Sequence, residues 1–98
     1  MHEIMIKVKK IVKVIDINPE NGNEFSLVLF NDDFNTFEYV IETLMEVCDH
    51  NEEQAYQCAL ITHHKGKCEV KKGLKDDLKN RCSELIKKGL SAEIYSKG

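Results

Sequence analysis

Two polar clusters interrupt otherwise apolar stretches of this sequence: Asn31-Asp32-Asp33, and His63-His64-Lys65-Gly66. An imidazole and a carboxylate brought within reach of each other form an acid–base pair, here His63 with Asp32 or Asp33. No nucleophile motif or phosphate loop accompanies them, so a small enzyme is the weaker reading of these residues. Each cluster also has an ordinary use. Asp-Asp after a strand suits a turn, and a histidine in the last turn of a helix complements the helix dipole.

Cysteines are the other reactive side chains: Cys48, Cys58, Cys68 and Cys82. They contain no C-x-x-C pair. Cys48, Cys58 and Cys82 fall at apolar positions of helical repeats and Cys68 on the inward phase of a short strand, which reads as four reduced core thiols. Zinc held by some of them with His50, His63 and His64 is the minor alternative, because the spacings fit no common zinc module. No metal and no cofactor is expected.

The elements that position the two clusters are legible from periodicity. Phe25 to Phe30 is a buried strand that runs into Asn31. Phe37, Val40, Ile41, Leu44, Val47 and Cys48 recur at helical spacing, with Asn35 and Glu38 set as a capping box, predicting a helix from Thr36 to about Asp49. Asn51 and Gln54 repeat the box for a second helix that ends at Lys65-Gly66, with the glycine as left-handed cap. Cys68-Glu69-Val70 alternates as a strand. Leu74, Leu78, Cys82, Leu85 and Ile86 mark a third helix that Gly89 stops, and Leu90, Ala92 and Ile94 alternate in a closing strand. The expected fold class is α+β: a β-α-α-β-α-β sandwich with three helices on one face of an antiparallel sheet.

Asn18-Pro19-Glu20-Asn21-Gly22-Asn23 is a dense turn signal. It divides the chain into an N-terminal arm, 1–23, and a core domain, 24–98. Residues 4–16 are β-prone. Asn21-Gly22 suits a hairpin joining that segment to Phe25–Phe30 as an extra strand, and an arm that pairs with nothing is the other reading. Length and charge bound the function. The chain has 98 residues and a formal net charge of −3, which suits one domain and gives no broad electrostatic reason to bind nucleic acid. No apolar run reaches membrane-span length, and the first residues lack a secretory pattern. A cytoplasmic protein is expected.

From Leu27 to about Ile94 the sequence resembles the ClpS family. The likeness rests on Leu29-Phe30-Asn31-Asp32-Asp33-Phe34, on Phe37-Glu38-Tyr39-Val40-Ile41-Glu42-Thr43-Leu44, on Gln54-Ala55, and on His63-His64-Lys65-Gly66-Lys67. It implies the β-α-α-β-α-β sandwich, similar to the C-terminal domain of ribosomal stalk protein L7/L12. It implies a non-enzymatic adaptor that captures N-degrons, proteins beginning with Phe, Tyr, Trp or Leu. The adaptor docks on the N-terminal domain of ClpA or ClpC and passes its cargo to the ClpP protease. Carried onto this sequence, the resemblance gives Asn31, Asp32 and His63 the α-amino group. Asp33 would shape the turn near the peptide backbone, and Asn35, Phe37, Val40, Ala59, Thr62 and Leu90 would line the side-chain pocket. Exposed charges at Glu42, Glu46, Lys65 and Lys67 would face the unfoldase.

Physical chemistry agrees with such a pairing of roles. An ammonium brings three donors, and Asn31, Asp32 and a neutral His63 can supply three acceptors. Charge-assisted bonds contribute about 1.5–3 kcal/mol each. Burying an aromatic side chain adds a gross gain of roughly 4–6 kcal/mol before entropy costs. An internal peptide nitrogen would leave the acceptors unpaired, which is a strong basis for discrimination. Affinity should fall as the imidazole takes up a proton, near about pH 6.5 for an ordinary histidine. Three departures from the family pattern stand out. Phe37 replaces a common gatekeeper methionine, Ala59 replaces a pocket methionine, and Thr62 stands where an aliphatic is usual, making the rim more polar. They predict a pocket of shifted shape. The alternative is a Clp-docking modulator whose degron pocket is altered or lost.

Overall fold

The structure, a computed structural model, describes residues 12–15 and 24–96. The elements are β1 (Val14–Ile15), β2 (Phe25–Phe30), α1 (Phe37–Cys48), α2 (Glu52–Lys65), β3 (Lys67–Gly73), α3 (Lys75–Lys87) and β4 (Ser91–Ser96). Three helices pack on a four-stranded sheet of order β1-β4-β2-β3.

The core of the sheet is antiparallel. β2 lies between β4 and β3, with Leu27 opposite Ile94 and Leu29 opposite Ala92. Alternation along β2 sends Phe25, Leu27 and Leu29 into the interior, each at most 1% exposed. The register against β3 slips between Leu27 and Val28, whose partners are Lys71 and Glu69. Val70 is therefore the extra residue of a bulge. Its carbonyl accepts from His50 Nε2 at 2.6 Å, which ties the buried imidazole to the sheet. Among the described residues no group of three or more metal-ligating side chains comes together.

β1 makes the sheet mixed. It runs parallel to β4, with Val14 opposite Ile94, and Ile94 N donates to Lys13 O at 2.9 Å. The hairpin expected between the arm and Phe25–Phe30 therefore does not describe this strand, whose partner is β4 and not β2. The Asn21-Gly22 turn itself lies outside the described residues.

Each helix buries most of the stripe its spacing predicts; Leu74, which caps α3, stays 65% exposed, and Cys58 of α2 is only half-buried. Leu44, Val47 and Cys48 of α1 and Leu78, Cys82 and Leu85 of α3 join the strand residues in one core. Arg81 of α3 binds the far end of α1 through Val47 O, at 2.7 Å, and Asp49. The α2 contribution is slimmer: Ala55, Ala59 and Thr62 are its buried residues. Its capping box forms as the sequence predicts, Asn51 Oδ1 accepting from Gln54 N and Gln54 Oε1 from Asn51 N. Gly66 takes the left-handed conformation at φ 92° and closes the helix. The cap of α1 is a correction. Thr36 Oγ1 accepts from Tyr39 N at 3.0 Å, and Asn35 is engaged elsewhere.

The cysteines divide. All four are free, with Cys48 and Cys82 buried. Cys58 and Cys68 are only half-buried, and the Cys68 thiol donates to Glu69 O at 3.5 Å, so the four-core-thiol reading holds for two of them. No helix among the described residues is long and apolar enough to cross a membrane.

Candidate functional site

β2 and α2 end side by side. Asn31 N, the first amide past the strand, donates to the carbonyl of Gly66, the α2 cap, at 2.9 Å. One backbone bond thus brings the Asn31-Asp32-Asp33 cluster and the His63 end of α2 to the same rim.

The next residues are shaped by Asp32. Its Oδ1 accepts from Phe34 N and Asn35 N, both at 3.0 Å, and its Oδ2 accepts from Asn35 Nδ2 at 2.8 Å. Partial burial pushes this carboxyl up. The bonds from the Asn35 and Phe34 amides and from the Asn35 side chain outweigh that, and Asp32 sits below its ordinary value. The turn-shaping role expected of Asp33 therefore falls to Asp32. Three donors leave the Asp32 carboxylate about one free lone-pair direction of its four. Asn35 also donates to Gly89 O at 3.0 Å, tying the turn to the α3–β4 connection. Gly89 has φ 92°, and a side chain there would be strained. Phe34 stands 94% exposed on this turn.

Beneath the rim lies a cavity of about 480 Å³, lined by Leu29, Phe30, Asn31, Asp32, Asp33, Asn35, Phe37, Val40, Ala59, Thr62, His63 and Leu90. That volume lies in the usual range for small-ligand sites, about 300–1,000 Å³. All ten residues singled out from the sequence line it. Sequence reasoning missed Leu29 and Phe30, assigned to the strand alone. Their signal was adjacency to Asn31, since a strand that ends at a site contributes its last residues to it.

The polar lining is made of Asn31, Asp32, Asp33, Asn35 and His63; the apolar lining comes from β2, α1, α2 and Leu90. Thr62 lines the cavity as a buried side chain whose hydroxyl proton is donated to Cys58 O of its own helix at 2.7 Å, which leaves the hydroxyl oxygen only as an acceptor. His63 is exposed beside His64, with ring centroids 5.2 Å apart. Of the four expected docking charges, all are exposed, and Glu46 pairs with Lys88 at 3.5 Å. The arrangement suits a ligand with a donor-rich head and an apolar body.

The described residues thus form a three-helix, four-strand α+β sandwich with an open cavity between strand end and helix end. The family model described as "ATP-dependent Clp protease adaptor protein ClpS" matches residues 20–93. The chain belongs to the ClpS family. Among curated relatives, the ClpS adapter of Neisseria meningitidis serogroup A is 42% identical over 52 residues, 53% of this chain and 50% of that protein. The ClpS adapter of Campylobacter jejuni is 43% identical over 42 residues, 43% of this chain and 44% of that one. The chain thus aligns over about half the length of the curated relatives it matches. The structure of Agrobacterium tumefaciens ClpS2 bound to L-phenylalaninamide has the same fold, with a TM-score of 0.74, at 20% identity over 78% of this chain and 99% of that one.

Proposed function

We propose that this chain is a non-catalytic adaptor that binds N-degron substrates by their free α-amino group and bulky first side chain. It would then deliver them to a Clp unfoldase and its protease. The observation that carries this reading is the convergence at one cavity mouth of Asn31, Asp32 and His63 above apolar walls. In the proposed complex the Asn31 carbonyl, the remaining Asp32 lone pair and a neutral His63 accept from the ammonium. Phe37, Val40, Ala59 and Leu90 surround the first side chain, while Asn35 and Asp33 hold the approach to it. The phenylalaninamide in the Agrobacterium neighbour has a free amine and a benzyl side chain, the combination this cavity suits.

Docking on the N-terminal domain of ClpA or ClpC is part of the proposal, with Glu42, Lys65 and Lys67 as the freer contact charges. The cytoplasm is the compartment in which such a handover takes place. The test is degradation of a Phe-initiated reporter by a Clp unfoldase and protease, with and without the chain, beside the same reporter initiated by Met. Acceleration confined to the Phe reporter supports the adaptor. Equal effects on both reporters would mean that the chain docks on Clp and modulates it without reading the degron.

A further inference from the structure

Phe37, in the cavity wall, is braced from behind. Its ring meets Tyr56 of α2 edge to face, with centroids 5.5 Å apart and planes at 89°. That is a preferred arrangement for two aromatic quadrupoles. Tyr56 is 44% exposed and does not itself line the cavity. Two features give the contact leverage. Phe37 is the first residue of α1, so no preceding helical turn restricts its χ1 as it would mid-helix. Ala59, one turn beyond Tyr56 on α2, lines the same cavity with a small side chain, so the position of the Phe37 ring sets the free width between these walls.

We propose that Tyr56 is a specificity-determining positioning residue, holding the Phe37 ring in one orientation so that the cavity favours an aromatic first side chain over a branched aliphatic one. This rests on the degron reading of the cavity. A fixed Phe37 ring can make a second aromatic contact with a ligand ring, which a leucine cannot return. One such contact is equivalent to a preference of roughly two- to tenfold. With Tyr56 gone, Phe37 samples other rotamers and the contact is lost for part of the time.

The experiment measures fluorescence-anisotropy Kd values of the full chain for two peptides that differ only in their first residue, Phe or Leu. Tyr56→Ala is expected to shrink the Phe-over-Leu ratio by roughly two- to tenfold, and Tyr56→Phe, which keeps the ring, to preserve it. A ratio unchanged in Tyr56→Ala, or both affinities falling by one common factor, overturns the proposal. Tyr56→Leu keeps the bulk and removes the ring. It reads out the same ratio should circular dichroism show that the alanine variant is misfolded, and a ratio unchanged there also overturns the proposal. If the parent chain binds neither peptide, the degron reading falls and takes this inference with it. If the parent chain binds and only the ratio fails to move, the degron reading stands.

Discussion

Asn35→Ala removes two bonds at once, the donation to Asp32 Oδ2 at 2.8 Å and that to Gly89 O at 3.0 Å. The first is charge-assisted and the second neutral. Such bonds contribute about 1.5–3 and about 1 kcal/mol in favourable settings, and water reaches this half-exposed turn, so the expected net loss of stability is about 1–2 kcal/mol. The pH dependence separates the two. Burial raises the Asp32 carboxyl, and the bonds from Asn35 and Phe34 lower it further than burial raises it. A carboxyl depressed in the folded state contributes stability that is present above its unfolded value and lost as pH falls through the folded one. The variant lacks part of that depression. The stability gap between parent and variant should therefore be full at neutral pH and narrow below about pH 4, leaving the smaller share due to Gly89. Urea unfolding followed by circular dichroism at neutral pH and in acid measures it. A gap that keeps its full size in acid, or one below a few tenths of a kcal/mol at neutral pH, would refute the place given to the Asp32 charge in this turn.

Three further outcomes are expected. Thr62→Val should change affinity for a Phe-initiated peptide less than about threefold, because the hydroxyl it removes makes only a weak back-bond within its own helix, to Cys58 O; a larger loss by calorimetry would return Thr62 to the polar contacts. His63→Ala should weaken binding of that peptide by about tenfold or more, because it removes one of the three acceptors for the ammonium; an unchanged Kd would take His63 off the contact list. Cys58, lowered to about 7 chiefly by the neighbouring Cys68 thiol, should alkylate first at mildly basic pH, ahead of Cys48 and Cys82, which burial raises to about 11. Mass spectrometry of a timed iodoacetamide reaction reads the order, and uniform labelling would contradict it.

Local signals carried most of the fold. The phase of Phe25, Leu27 and Leu29, the Asn51–Gln54 box and the Gly66 cap each depend on neighbours within one turn or one strand, and the structure has them all. The cavity lining was legible because the family motif keeps strand end and helix end recognisable although Asn31 and His63 are far apart in sequence. What was not legible depends on distant partners or on fine competition between neighbours. Asn35 and Thr36 are both good caps, and the contact that draws Asn35 away, Gly89 O, is 54 residues distant. Asp32 and Asp33 are equivalent on paper, and only the turn geometry shows which carboxylate folds back. Asn21-Gly22 signals a hairpin, while a parallel strand against β4 leaves no local trace of its partner. The helical repeat put Cys58 on the buried stripe of α2, but small Ala55 and Ala59 fill that stripe and leave Cys58 at its margin beside Cys68.

The proposal that this cavity grips a chain terminus is tested most directly by comparing the Kd of a Phe-initiated peptide with that of its N-acetylated twin. Acetylation keeps the benzyl group and removes the positive charge with two of the three donors. Losing even two charge-assisted bonds should weaken binding by at least about a hundredfold. Equal affinities for the two peptides would mean that Asn31, Asp32 and His63 hold no ammonium, and would contradict the account.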